Sequence, residues 1–303
     1  MTVTGMGADV RDAPTGGSSG LGRNVGELRQ GRVQRVMDRL SHGALWVAGT
    51  VSMVFLLAPV VVVVLASFNR VPALDVPPRR WSLSSYGAIS PALYEAFFLS
   101  LQLAAMAAAL SVALAVPASF WLARTRGVLP RTVDTFFRSP LQVPRIVLGM
   151  SLYQAYVLYQ LMSGVSLRGT FTGLLAAHVV LVTPYVIATC VASIEGRGQD
   201  LELAAASLGA SPLRVFVQVS LPVIRQALIA SAVLATLISF DDVPLSLFLS
   251  GAGTTPLPVQ LFALSEQNLT PSLYAAATLT LAFSIVITVL LEKFVGLRQA
   301  LQR

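Results

Sequence analysis

Residues 200–222 read DLELAAASLGASPLRVFVQVSLP. The stretch is polar beside its flanks, yet Leu201, Ala204, Ala205 and Leu208 recur at i, i+3, i+4 and i+7, which predicts a short helix with one small apolar face. Asp200 is placed to cap it, since a carboxylate accepts from the free N–H groups of a first turn. Gly209 stands where a left-handed C′ residue ends a helix without Cβ strain. Ser211 and Pro212 restart a helix as N-cap and N1. Pro222 is expected to kink or restart the chain before the next apolar run. Helix, glycine turn, helix is a shape that presents a knob to a partner. It is also the shape of an ordinary connector, and the pattern alone leaves both readings open.

The flanks decide the class. The 303-residue chain is 55% hydrophobic and 12% charged, with a mean hydropathy of +0.73. A soluble domain carries about twice that charged fraction. Apolar runs at about 45–67, 96–122, 146–162, 172–194, 227–249 and 274–295 each approach the ~20 residues that cross a ~30 Å hydrocarbon core. The expectation is an all-α, polytopic membrane protein with six transmembrane helices. The first run is too long, and the tail before it too long, for a cleaved signal peptide. Residues 1–40 are expected to form a disordered cytoplasmic tail (1–24) followed by a basic amphipathic helix resting on the inner membrane surface. Residues 41–303 form the transmembrane domain, with a cytoplasmic loop at 195–225. The run at 96–122 is crowded with Ala and Ser, which lets helices approach closely in lipid, so it is expected to pack centrally.

Sidedness follows from the cations. With the N-terminus inside, inner segments hold sixteen Lys and Arg and outer loops hold four, namely Arg70, Arg79, Arg80 and Arg168. Both termini and residues 200–222 are then cytoplasmic, and the net charge of +7 reads as topology, not as affinity for nucleic acid. Arg145 is expected to snorkel at the mouth of the third span.

Residue inventory excludes much chemistry. One cysteine and two histidines provide neither a disulfide framework nor a Cys- or His-rich metal site. His178 is expected to be a packed or hydrogen-bonded core residue. The single lysine, Lys293, excludes a Walker A loop, so any nucleotide that powers the protein binds another chain. Asp241 and Asp242 follow Arg225 after only 15 uncharged residues, about 22 Å of helix. They either line a translocation path suited to a cation or mark a solvated helix end before Pro244; both readings stand at this point. Adjacent in sequence, they cannot face each other as a protease dyad.

Taken with this topology, residues 200–222 resemble the coupling loop of binding-protein-dependent ABC importer permeases. That pattern is Glu-Ala-Ala, three residues, Gly, nine residues, an aliphatic residue, any residue, Leu-Pro. Ala204, Ala205, Gly209, Val219, Leu221 and Pro222 match it. The motif glutamate is replaced by Leu203, and Glu202 stands one residue earlier. The blocks Ser67-Phe68-Asn69, Trp81 to Tyr86, Val143 to Gly149, Ser239 to Val243, Phe248 to Gly251 and Leu257-Pro258 resemble the spermidine/putrescine branch. The resemblance implies a type I importer permease of the bacterial inner membrane, with no enzymatic activity of its own. Its implied partners are ABC ATPase subunits that hold the ATP and Mg²⁺, a second permease and an extracytoplasmic solute-binding protein. Coupling would run through Glu202, Ala204, Ala205, Gly209, Val219, Leu221 and Pro222, and the path through Asp241 and Asp242. The alternative is a secondary transporter using the two aspartates as ion carriers.

Overall fold

The structure is a computed structural model describing residues 20–70, 77, 78, 80–197 and 199–300, with side chains described at 43–290 within those ranges and at 293. Most of the expected disordered tail, and all side chains of the expected basic helix, lie outside the described residues. Among the described residues every regular element is helical. Residues 1–61 and 62–303 form two units. The first contains most of α1 (Gly20–Ala66), whose apolar side chains from Leu45 to Val61 are exposed. In the second, the chain continues through α2 (Ser84–Gly87), α3 (Pro91–Arg124), α4 (Val128–Arg138), a short 3₁₀ turn, α5 (Arg145–Ser163) and α6 (Phe171–Glu195). It ends with α7 (Asp200–Ser207), α8 (Pro212–Val215), a π turn at Phe216–Ser220, α9 (Leu221–Phe240), α10 (Pro244–Leu249), α11 (Leu257–Gln267) and α12 (Pro271–Ala300).

Helices α3, α6 and α9 pack on one another and make the core, as the small residues of α3 predict. The buried face of α3 includes Ala96, Ser100, Leu103, Ala104, Ala107, Ser111, Ala115 and Ser119. In lipid no hydrophobic drive separates one apolar helix from its surroundings, so close van der Waals contact and interhelical hydrogen bonds hold such a core. Ser111 Oγ donates to the Val179 carbonyl and Ser119 Oγ to that of Ile187, each at 3.5 Å, and Thr183 Oγ1 donates to Ser111 Oγ at 3.0 Å. Both serines step eight residues along α3 while their acceptors step eight along α6, so the two helices run parallel. Helix α9 runs the other way. Phe97 lies edge-on to Phe240 at 5.8 Å, and Phe120 to Phe216 at 5.0 Å.

Among the described residues, five helical stretches are long and apolar enough to cross a membrane, at Gly43–Ala66, Pro91–Arg124, Phe171–Glu195, Pro212–Phe240 and Pro271–Leu290. The third expected span, α5, is 19 residues long but less apolar, carrying Tyr153, Gln154, Tyr156, Tyr159 and Gln160. It packs against α10. A Cβ on Gly149 would meet Leu245 Cα at 3.0 Å and the Pro244 carbonyl oxygen at 3.2 Å, so only glycine permits this approach.

Two boundaries need correction. The fifth span was expected at 227–249; it runs from Pro212 to Phe240, and 244–249 is a separate helix. Pro222 stands in the first turn of α9, where the expected restart of the helix falls. The π turn just before Pro222 widens the helix where the missing N–H and the bulk of the proline ring would otherwise disrupt a regular α-turn. Helices α4 and α11 fall in stretches read as loops. The sequence blocks around Ser67 and Trp81 meet: Ser67 Oγ and Tyr86 Oη are 2.8 Å apart, Ser85 Oγ donates to the Asn69 carbonyl at 2.8 Å, and Phe68 stacks at a tilt on Trp81.

Candidate functional site

Two groups of sequence-selected residues occupy opposite ends of the α3–α6–α9 core. The first is the loop at 200–222. Helix α7 begins at Asp200, with Gln199 as N-cap; Asp200 is therefore the first helical residue and makes no side-chain cap. The far end follows the sequence. Gly209 takes φ +82°, the Ala210 N–H donates to the Ala205 carbonyl at 3.1 Å, and the Gly209 N–H to that of Ala206 at 2.9 Å. These two bonds make a Schellman motif and satisfy carbonyls that a helix end leaves open. Ser211, extended, and Pro212 at N1 open α8 as expected.

No residue of α7 is buried. Leu201 is 63% exposed, Leu203 59%, Leu208 89% and, on α8, Leu213 73%. Leu201, Leu203 and Leu208 on the loop, with Leu213 at the start of the fifth apolar stretch, supply exposed apolar area of the kind used in contacts with other proteins. Ala204 and Gly209 lie exposed with them, Ala205, Val219 and Leu221 are half-buried, and Pro222 is exposed at the start of α9.

Glu202 points the other way. Its carboxylate holds Arg124, the last residue of α3, through Oε1 to Nη2 at 3.1 Å and Oε2 to Nε at 3.0 Å. Oε1 also accepts from Ser220 Oγ, in the π turn, at 2.8 Å. The sequence singled out Glu202 but neither of its partners, because nothing local ties Arg124, 78 positions earlier, to it. Beside this contact a cleft of about 690 Å³ opens between the ends of α3 and α6, α4 and α7, lined by Arg126, Arg131, Asp134, Glu195 and Asp200.

The second group surrounds the break between α9 and α10. Asp241 is exposed and closes α9; Asp242 is 1% exposed. Asp242 Oδ2 accepts from the backbone N–H groups of Leu245 and Ser246 at 3.2 and 2.9 Å and from Ser246 Oγ at 3.1 Å. It caps α10, where open N–H groups favour a carboxylate. Of the two aspartates expected on the path, Asp241 is thus exposed and Asp242 buried. Arg145, expected to snorkel, is 38% exposed at its side chain, with Nη1 4.0 Å from Asp242 Oδ1.

His178 joins this network from α6. Nδ1 lies 2.7 Å from Ser239 Oγ, and Nε2 lies 2.9 Å from Ser246 Oγ. Ser246 gives its proton to Asp242, so its oxygen accepts from Nε2–H, and Nδ1 accepts from Ser239. The chain of donors thus fixes the tautomer and ties α6, α9 and α10 together. His178→Ala is expected to leave two buried hydroxyls short of a partner, at about 1–3 kcal/mol in all. Thermal unfolding of the purified protein checks it: a fall of roughly 2–10 °C is expected, by the usual scaling for a domain of this size. An unchanged midpoint would show that the network does not hold these helices together.

These two ends match known proteins. Residues 115–298 match the family described as "Binding-protein-dependent transport system inner membrane component". The chain is 34% identical over 231 residues to the putrescine transport system permease protein PotI of Escherichia coli (strain K12), covering 75% of this chain and 82% of that one. It is 29% identical over 238 residues to the spermidine/putrescine transport system permease protein PotC of Haemophilus influenzae, covering 78% and 90%. Its fold resembles that of a bacterial ABC transporter involved in the import of the acidic polysaccharide alginate, with a TM-score of 0.64 at 16% identity over 86% of this chain and 96% of that one. The chain belongs to the inner membrane components of binding-protein-dependent transport systems: it is a permease component of an ABC importer. Membership implies a separate ATPase and a solute-binding protein as partners, and an inner-membrane location. Nothing favours the alternative of an ion-driven carrier.

Proposed function

We propose that this chain is one of two different permease subunits that enclose the path of a small organic cation of the polyamine type. The N- and C-termini and residues 200–222 face the cytoplasm, on the side where the basic residues concentrate. The loop 195–225 seats its short helices in a groove of the ATPase, which holds the ATP and Mg²⁺. Ala204, Ala205, Gly209, Val219, Leu221 and Pro222 set the shape of that loop, and Glu202 fixes it from behind. The observation that carries the docking reading is the exposure of Leu201, Leu203, Leu208 and Leu213 about a loop whose one glutamate, Glu202, is already bonded within the chain.

The solute class is supported by the two polyamine permeases above and by Asp241, the exposed carboxylate at the α9–α10 break. The test is uptake of labelled putrescine into proteoliposomes containing both permeases, the ATPase and the binding protein. ATP-dependent accumulation is expected. Uptake that needs only an ion gradient would refute the reading. Asp241→Asn is expected to slow putrescine uptake about 2–5-fold, the size of one partly solvated charge contact. Equal uptake by the variant and the wild type would take Asp241 off the path.

A further inference from the structure

We infer that Glu202, Arg124 and Ser220 form a strut that carries movement of the docking loop into the membrane core. The inference rests on the docking reading above. Helix α7 buries no side chain in the bundle, so little apolar packing would make it move with the bundle. Its side-chain ties to the core run through the Glu202 carboxylate. Glu202 Oε1 accepts from Arg124 Nη2 at 3.1 Å, and Oε2 lies 3.0 Å from Arg124 Nε as a charge contact. Ser220 Oγ adds a second hydrogen bond at 2.8 Å.

The three residues stand on three different elements. Glu202 is in α7, Arg124 ends α3, and Ser220 sits in the π turn at the foot of α9. Helices α3 and α9 pack against each other and against α6. A displacement of α7 is therefore passed to two core helices at once, at their common end. The side chains are about one-fifth exposed, at 22% for Arg124 and 23% for Glu202, so solvent screens the pair only in part. Ser220 is buried. A π turn fits this role, because π segments recur at functional positions and this one carries the hydroxyl that grips the carboxylate. Glu202 is thus a positioning residue that acts through Arg124 and Ser220.

The experiment compares solute moved per ATP hydrolysed in the complete reconstituted transporter for wild type, Glu202→Ala, Arg124→Ala and the swapped pair Glu202→Arg with Arg124→Glu. ATPase retention on the purified complex is measured alongside. Each single variant is expected to keep the ATPase bound and hydrolysing while the ratio falls by at least about 5-fold, the lower end of ordinary coupling energies. The swapped pair is expected to recover to within about 2-fold of wild type, since the same charge pair is rebuilt. An unchanged ratio in the single variants overturns the strut. So does loss of ATPase binding that the swapped pair does not restore, because Glu202 would then be a docking residue. A wild-type complex that never retains an ATPase refutes the docking reading itself, which keeps the two failures apart.

Discussion

Leu208→Asp is expected to abolish ATP-driven uptake while leaving the protein in the membrane at its normal level. Leu208 is the most exposed large apolar side chain of the loop, at 89%. It occupies the C-cap position of α7, directly before the glycine turn. Docked in a groove, a leucine contributes about 1.5–3 kcal/mol of burial. A carboxylate in its place loses that and adds the cost of desolvating an unpaired charge. The sum predicts at least about a 100-fold weaker hold on the ATPase. Leu208→Met, which conserves volume and apolarity, is expected to stay within about 10-fold of wild type. The amount of ATPase co-purifying with each variant measures this. Equal recovery with wild type and Leu208→Asp would show that Leu208 is not part of a docking surface. Because the side chain makes no internal contact that burial reveals, a folding defect is not the expected route to loss.

Gly209→Val is expected to lower uptake about 10-fold, and Gly209→Asn far less. The reason is conformational. A Cβ at Gly209 would meet nothing within 4 Å, so there is no clash to relieve. The backbone is the obstacle: φ is +82°, where a β-branched residue is strained by at least about 1–2 kcal/mol, while asparagine enters that region readily. Relief of the strain would undo the Schellman bonds from Ala210 to Ala205 and from Gly209 to Ala206 and turn α8 away from α7. Leu208 and Leu213 would then no longer present one surface. Uptake by Gly209→Val equal to that of Gly209→Asn would show that docking does not depend on the turn.

The parts of the fold set by local chemistry were legible in the sequence. The glycine turn, the Ser-Pro restart and the central place of the Ala- and Ser-rich helix follow from what those residues do in any chain. Features set by contacts across the chain were not. Nothing near Arg124 distinguishes it from Arg126 or Arg131, which line the open cleft; only the register of α3 against the loop brings it to Glu202. Asp241 and Asp242 look alike as neighbours, yet the break after Phe240 leaves one exposed and buries the other as the cap of α10. Helix α10 could not be separated from α9 by hydropathy, because both are apolar and only Asp241 to Pro244 mark the join. The hydrogen bonds of His178 also depend on this break, since Ser239 and Ser246 come to opposite sides of one ring only when the chain turns back between them.

Residues 200–222 are proposed above to meet an ATPase on the cytoplasmic side. The most direct measurement is site-specific cross-linking of the assembled transporter in inside-out membrane vesicles. Leu208→Cys, with the buried native Cys190 replaced by alanine, is treated with a short thiol-reactive cross-linker. Leu161→Cys, near the far end of α5, serves as the control. A covalent adduct between this chain and the ATPase is expected from position 208 and none from position 161. An actively transporting complex in which position 208 gives no adduct, or is labelled only by an impermeant reagent applied from the external side, would contradict it.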